Sequence, residues 1–326
     1  MLKAALRSIV LLAAMVVAVP ATATDWPTRP VTMIVPFSAG GPLDVTARLI
    51  APHLSAELKQ PVIVENVSGA GGMTGGYRVS SAQPDGYTFL YGNSSTHTFN
   101  QLLSKKPLYN AMTDFAPVAV FVENSKVLLV RPDLPVKNMT EFAAYVKAHA
   151  KTMQFGSSGV ASASHVACLL LNSTIGAEVV HVPYRGLSFA LQDLMTGRID
   201  YLCEIISSAS GQIKAGTVRA LALLSPKRSA TLPNLPTADE QGIKGFDIDA
   251  WNGFFFPKNT LPEIVQRLAD VTSKIMDDPE LQKQLVDRGL NIAAKDRRNQ
   301  AYLKAVVASD LAKWRSPLQA AGLIPE

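Results

Sequence analysis

Cysteine is almost missing from this chain: Cys168 and Cys203 are the only two in 326 residues. That content allows one disulfide and excludes a framework of them; in an oxidising compartment two cysteines suggest a bridge, with two buried thiols as the alternative. Histidine is as sparse. His53, His97, His149, His165 and His181 are scattered without metal-ligand spacing, so no metal site is expected. No G-x-S-x-G elbow occurs. Ser164 and His165 are neighbours, and neighbours on a helix do not face each other, which argues against a serine hydrolase. The formal net charge of +5 is small and dispersed, so nucleic acid is not an expected partner. Charged residues make up only 17% against 48% hydrophobic, a globular rather than a disordered balance. No low-complexity tract interrupts the chain, so any two domains should be joined by ordered strands.

The first 23 residues carry a basic start (Lys3, Arg7), an apolar core from Ile9 to Val19 and the small-residue site Ala21-Thr22-Ala23. This pattern predicts a cleaved secretory signal peptide over 1–23, too short in its apolar run to span a bilayer. No later run reaches the roughly 18 uninterrupted apolar residues of a helical span. The expected product is an exported, soluble protein with no cofactor.

Val31 to Val35 is a β-branched run of strand length. Pro36-Phe37-Ser38-Ala39-Gly40-Gly41 turns the chain, Pro42 suits a first helical position, and Val45, Leu49, Ile50 and Leu54 recur at helical spacing. A strand, a glycine turn and a helix start leave unpaired N–H groups at a positive helix end, which is an anion site in waiting. The pattern recurs about 120 residues later: strand Thr152 to Phe155, small-residue loop Gly156 to Ser162, helix from Ala163. Strands alternate with helices elsewhere too, which predicts βαβ units, mostly parallel sheets and ligands beyond the strands' carboxyl ends. Two such series predict two doubly wound lobes whose turns face one cleft. The glycine cluster Gly69 to Gly76 is not a dinucleotide fingerprint, because Thr74 stands where a glycine or alanine belongs; it reads as a flexible, backbone-rich loop.

The run PFSAGGPLDVTAR (Pro36 to Arg48) resembles the PF-x-AGG-x-x-D-x-x-AR signature of the Bug-type receptors that serve tripartite tricarboxylate transporters. ENVSGAGGMTGG (Glu65 to Gly76), PDGYTFLYGN (Pro84 to Asn93), FGSSGVASASH (Phe155 to His165), HVPYRG (His181 to Gly186), DLMTGRID (Asp193 to Asp200), LPNLPTADEQG (Leu232 to Gly242) and WNGFFFPK (Trp251 to Lys258) extend the resemblance over nearly the whole mature chain. It implies a two-lobed periplasmic-binding-protein fold of the second type, each lobe a mostly parallel sheet flanked by helices. It also implies a small organic acid ligand, handed to membrane permease subunits, and no enzyme activity. Many members carry Gly-Glu where this chain has Cys168 and Leu169; a cysteine-bearing subgroup has its second cysteine where Cys203 stands. With the paired extended runs, the family's topology places lobe 1 at 24–125 and 218–247, and lobe 2 at 126–217 and 248–326. A monomer is expected. A periplasmic sensor co-receptor is the alternative role.

In this family the first loop holds a ligand carboxylate through backbone groups and water, which points to Phe37, Ser38, Ala39, Gly40 and Asp44. Hydroxyls and amides at the second helix start add Ser157, Ser158, Gly159, Ala161 and Ser162. His165, Tyr184 and Arg185 lie close by in sequence, and Asn93, Ser94 and Thr96 are candidates for the cleft wall.

Overall fold

The computed structural model describes residues 25–225, 227–229, 231–244, 248, 250–320 and 322–324. The signal-peptide reading of 1–23 lies outside them.

Among the described residues eleven strands form two sheets. The six-stranded one has the order β11-β4-β10-β3-β1-β2, with β1 at Val31–Val35, β2 at Val62–Asn66, β3 at Thr88–Asn93, β4 at Phe115–Asn124, β10 at Ala250–Pro257 and β11 at Asn291–Ile292. The five-stranded one has the order β7-β6-β8-β5-β9, with β5 at Lys126–Val130, β6 at Gln154–Ser157, β7 at Val180–Pro183, β8 at Tyr201–Ile205 and β9 at Arg219–Leu223. The helices are α1 Pro42–Leu58, α2 Met73–Ser80, α3 Asn100–Leu103, α4 Met139–His149, α5 Ala163–Ile175, α6 Leu187–Met195, α7 Ile206–Ala215, α8 Pro262–Ile275, α9 Pro279–Val286 and α10 Gln300–Ala320.

Both sheets are mixed. β1 pairs in parallel with β2 and β3, and β6 with β7 and β8. The strands next to the crossings break that order: β10 runs antiparallel to β3 and β4, and β5 antiparallel to β8 and β9. The parallel pairing lies in the βαβ units. A chain that enters a sheet from its neighbour arrives against the direction of the strands already there.

The first crossing is a single residue long. β4 ends at Asn124 and β5 starts at Lys126, so Ser125 alone separates the sheets. The second crossing lies in the expected place but in the opposite sense. β9 hydrogen-bonds to β5, with Val127 opposite Leu223, and so 218–223 stays with the second sheet. β10 then returns to the first sheet, with Phe254 opposite Tyr91. The strands at 219–223 and 250–257 therefore lie in the opposite sheets from the lobes, 218–247 in the first and 248–326 in the second, expected for them.

Each sheet has its own core. In the first, α1 buries Ala47, Ile50 and Leu54, and Phe89, Tyr91, Phe121 and Phe254 interlock edge-on or tilted between β3, β4 and β10. α1 starts with Pro42 at its first turn and ends at Lys59 in the left-handed region (φ 55°). The second core packs Phe142, Phe155 and Tyr201 around α5. α5 is capped by Ser162, whose side chain accepts the His165 N–H, and closed by Gly176 at φ +76°. α10 spans both: Leu303 and Val307 pack with Phe115, Trp251 and Phe255, whereas Trp314 and Leu318 belong to the second core. Among the described residues no helix is long and apolar enough to cross a membrane.

Cys168 on α5 and Cys203 on β8 form a disulfide, with Cα atoms 5.3 Å apart. It fastens the helix to the strand directly below it, both sulfurs inside the second core. Closing a loop with a sequence separation of 35 stabilises by roughly 3–4 kcal/mol in the chain-entropy picture. Urea unfolding of the double variant Cys168→Ser/Cys203→Ser should show a loss of about that size. A loss below about 1 kcal/mol would show that the bridge adds little to native packing.

Candidate functional site

Four helices, α1, α5, α6 and α7, begin at the wall of one narrow cavity between the sheets. It measures about 40 Å³, so the two halves meet closely around it. Gly41, Pro42 and Leu43 bring the start of α1, Ala163 and Ser164 that of α5, Leu187 that of α6, and Ile205 the cap of α7. Each helix start carries N–H groups with no intrahelical acceptor and the positive end of a dipole. Four of them facing one space favour an anion.

Of the five candidates from the first loop and helix start (Phe37, Ser38, Ala39, Gly40 and Asp44), Phe37 lines the cavity. Ala39 and Gly40 are exposed, and Ser38 sits against Gly186 at the rim. The Gly40 N–H donates to Asp44 Oδ2 at 2.8 Å, and Arg48 Nε donates to Asp44 Oδ1 at 2.9 Å. Asp44 is thus a strut of its own loop and is not among the residues of the cavity wall. Burial alone would raise its carboxyl, but Arg48, the Gly40 N–H and Asn66 outweigh this and hold it below the ordinary aspartate value. Asp44→Asn should cost about 1–3 kcal/mol at neutral pH. Because the folded-state pKa is depressed, wild-type stability from this group is lost as pH falls through it, and the gap to the variant should close in acid. Thermal unfolding of both proteins across pH 3–7 checks this; a constant gap would refute it.

The second loop divides. Ser158 faces the cavity and pairs with Ser164, Oγ to Oγ 2.9 Å. Ser157 turns away: its Oγ lies 2.7 Å from His181 Nε2 and accepts the Gly159 N–H. Ser162 is the cap of α5, and Ala161 (φ +61°) donates its N–H to His165 Nδ1. His165 stacks on His181, ring centroids 3.9 Å apart. Burial first, then repulsion from His181, pushes His165 down to about 3, and burial pushes His181 down to about 4. Burial thus favours the neutral form of both rings, and each is hydrogen-bonded to the second loop. Tyr184 donates to Asp193 Oδ2 at 2.7 Å and Arg185 is exposed, so neither lines the cavity.

The β3 loop does contribute. After β3 the chain forms a tight helical turn, Ser95–Phe99, with all five residues buried. Asn93 lines the cavity and holds the Thr96 N–H through Oδ1 at 3.2 Å. Ser94 is buried beside it, outside the cavity wall. Ser95 accepts the Ala163 N–H at 2.7 Å, a bond that joins the first half to the start of α5.

Sequence reasoning missed the charged residues. Lys126, the first residue of β5, and Glu204, the penultimate residue of β8, both line the cavity and are buried, with 1% and 6% of their surface exposed. Burial raises the Glu204 carboxyl; Lys126, the Ile205 N–H and Ser164 oppose that shift without cancelling it. Asn124 and Asn252 complete the wall. The Asn124 amide is buried with no protein partner for either Oδ1 or Nδ2. The signal was present: a lysine opening the apolar run KVLLV and a glutamate inside YLCEI are charges that burial forbids without a purpose.

Glycines make the seam. A Cβ on Gly71 (φ +62°) would lie 2.2 Å from the Val160 carbonyl oxygen, and one on Gly186 would lie 1.8 Å from Ser38 Oγ. The cluster expected to be a flexible loop is therefore a contact surface across the cleft. Among the described residues no cluster of three or more histidine, cysteine or acidic side chains could hold a metal ion.

A family model described as "Tripartite tricarboxylate transporter family receptor" matches residues 46–323. The chain is 35% identical to an Agrobacterium vitis UPF0065 protein from the TAR-I ttuE-ttuC' intergenic region, over 96% of this chain and 90% of that one. It is 30% identical to protein BugT of Bordetella pertussis, over 94% and 93%. Among solved structures, periplasmic binding protein BugD superposes with a TM-score of 0.89 at 35% identity, covering 92% of this chain and all of that one. MatC from Rhodopseudomonas palustris with bound malate gives 0.88 at 36%, covering 90% of this chain and all of MatC. R. palustris Rpa4515 with adipate gives 0.88 at 30%, covering 92% of this chain and all of Rpa4515.

Proposed function

The chain belongs to the tripartite tricarboxylate transporter receptor family, and from that premise we propose that it captures a small carboxylated solute between two lobes and delivers it to the permease of a tripartite transporter. The observation that carries this reading is the convergence of four helix N-termini and Lys126 on one cavity between the sheets. One lobe is built on the first sheet, with 25–124 and the return from residue 250; the other is built on the second sheet, with 126–223. The crossings at Ser125 and before Ala250 are the hinge, and α10 bridges it. Solute contacts to both halves exist only when they close, and that differential affinity drives the rotation. MatC with malate and Rpa4515 with adipate support a carboxylate as the solute. The protein acts in the periplasm as a monomer after removal of its signal peptide, and it catalyses no reaction.

A thermal-shift screen of organic acids and amino acids tests the reading. A solute that binds only the folded state at 100 times its Kd adds about 2.7 kcal/mol of stability. At least one compact acid should raise the melting temperature by several degrees. A screen without any stabilising acid would remove the reading.

A further inference from the structure

The second sheet ends in an open edge. Among the described residues β7 is last in its order and pairs in parallel with β6 alone. The Tyr184 N–H donates to the Ser157 carbonyl oxygen on β6 at 3.0 Å. Backbone groups alternate sides along a strand, so Val180 and Val182 also turn theirs to β6, whereas Val179 and His181 turn theirs to the open edge. Such an edge is a template for another strand. Pro183, which has no N–H, ends it.

A groove of about 460 Å³ adjoins the start of this edge, within the size range of a binding pocket. Leu169, Val179 and Leu323 give it an aliphatic wall, and Asn172, Ser173 and Glu178 its polar groups. It lies at the carboxyl end of α5, roughly 20 Å along the helix from the cavity where α5 begins. Asn172 is 4% exposed; its Oδ1 accepts the Tyr201 hydroxyl at 2.6 Å, whereas Nδ2 has no protein partner. Turning the amide end for end would only leave the oxygen without one. A buried amide group left so is costly, and a carbonyl placed in the groove would satisfy it. The field here is negative: Glu178 is exposed at the rim, α5 presents the negative end of its dipole, and no lysine or arginine belongs to the wall. It is opposite in sign to the helix starts around the cavity between the sheets, and it disfavours an organic acid.

We propose that this edge and groove bind an extended segment of a partner protein. The segment adds a strand to β7, places an aliphatic side chain against Leu169, Val179 and Leu323, and carries a lysine or arginine beside Glu178. One of its backbone carbonyls accepts the Asn172 N–H. Main-chain bonds along the edge give affinity, and the groove gives the choice of sequence.

Panning of displayed random heptapeptides on the immobilised mature protein should enrich an aliphatic residue flanked by a lysine or arginine. Fluorescence anisotropy of the enriched peptide should show binding that Ser173→Trp weakens about 10-fold or more, because the indole fills the groove from an exposed helix position. Glu178→Lys should weaken it too, and panning on that variant should enrich aspartate or glutamate in place of the basic residue. Both positions are exposed, and thermal unfolding checks that the variants fold. No enrichment, or an enriched peptide whose binding either variant leaves unchanged, overturns the proposal. So does a concentration-dependent dimer of the mature protein that Ser173→Trp dissociates, since the occupant would then be a second copy of this chain. None of these outcomes bears on the receptor reading of the cavity between the sheets.

Discussion

Gly71→Ala is expected to weaken solute binding roughly 10- to 100-fold, the range of an overpacked contact worth 1–3 kcal/mol. The new methyl would meet the Val160 carbonyl oxygen at 2.2 Å, and the Ser162 nitrogen at 3.0 Å. All of these atoms belong to backbone, so no rotamer change relieves the clash; the lobes must stay apart. An open receptor holds the solute on one wall only, and its apparent affinity falls by the fraction of closed state that is lost. Gly71 also has φ +62°, which costs an alanine about 1–2 kcal/mol wherever it occurs. Gly176→Ala controls for that: it has φ +76° and nothing within 4 Å of the added carbon. Calorimetry should show weak binding for the first variant and wild-type binding for the second, with similar losses of stability. Equal affinities in both would dissociate the glycine seam from closure.

Lys126→Met should lower solute affinity by about 30-fold or more, because the carboxylate loses its one cation in a desolvated wall. Stability should move the other way or barely at all at mildly acidic pH, since a buried charge replaced by an apolar chain of similar length sheds its desolvation cost. The pH dependence carries a sign. Burial raises the Glu204 carboxyl and Lys126 works against that rise. A carboxyl with a raised folded-state pKa binds its proton more tightly in the folded chain, so stability is highest in acid and falls as pH climbs through that value. Without Lys126 the fall should be steeper and extend to higher pH. Urea unfolding between pH 4 and 9 would show it; parallel profiles for the two proteins would mean that Lys126 and Glu204 do not act on each other.

The scaffold was legible in the sequence because it rests on local signals. Pro42 after Gly40-Gly41, Ser162 before Ala163 and the β-branched run at Val31 each specify a helix start or a strand without reference to the rest of the chain. The pairing of β9 and β10 was not local: Arg219–Leu223 and Ala250–Pro257 are both short apolar runs, and only their partners decide which sheet each joins. The site was half legible. Phe37, Asn93 and Ser158 are on the wall because loops after strands must face the cleft. Asp44, Gly40 and Ser162 are beside it because the same polar groups that suit a ligand also satisfy the loop's own backbone. Lys126 and Glu204 sit inside strands, and only their charge within an apolar run marks them.

The central claim is that solute closes two lobes over one cavity, and the distance between the lobes tests it most directly. Cys168 and Cys203 are bonded to each other, so spin labels attach only to cysteines introduced at exposed Tyr77 in the first half and exposed Val180 in the second. With a saturating amount of the best acid from the screen, the inter-label distance distribution should shift as a whole to shorter values. In the Gly71→Ala background the shift should be lost. A distribution that is identical with and without a solute known to be bound would contradict the account.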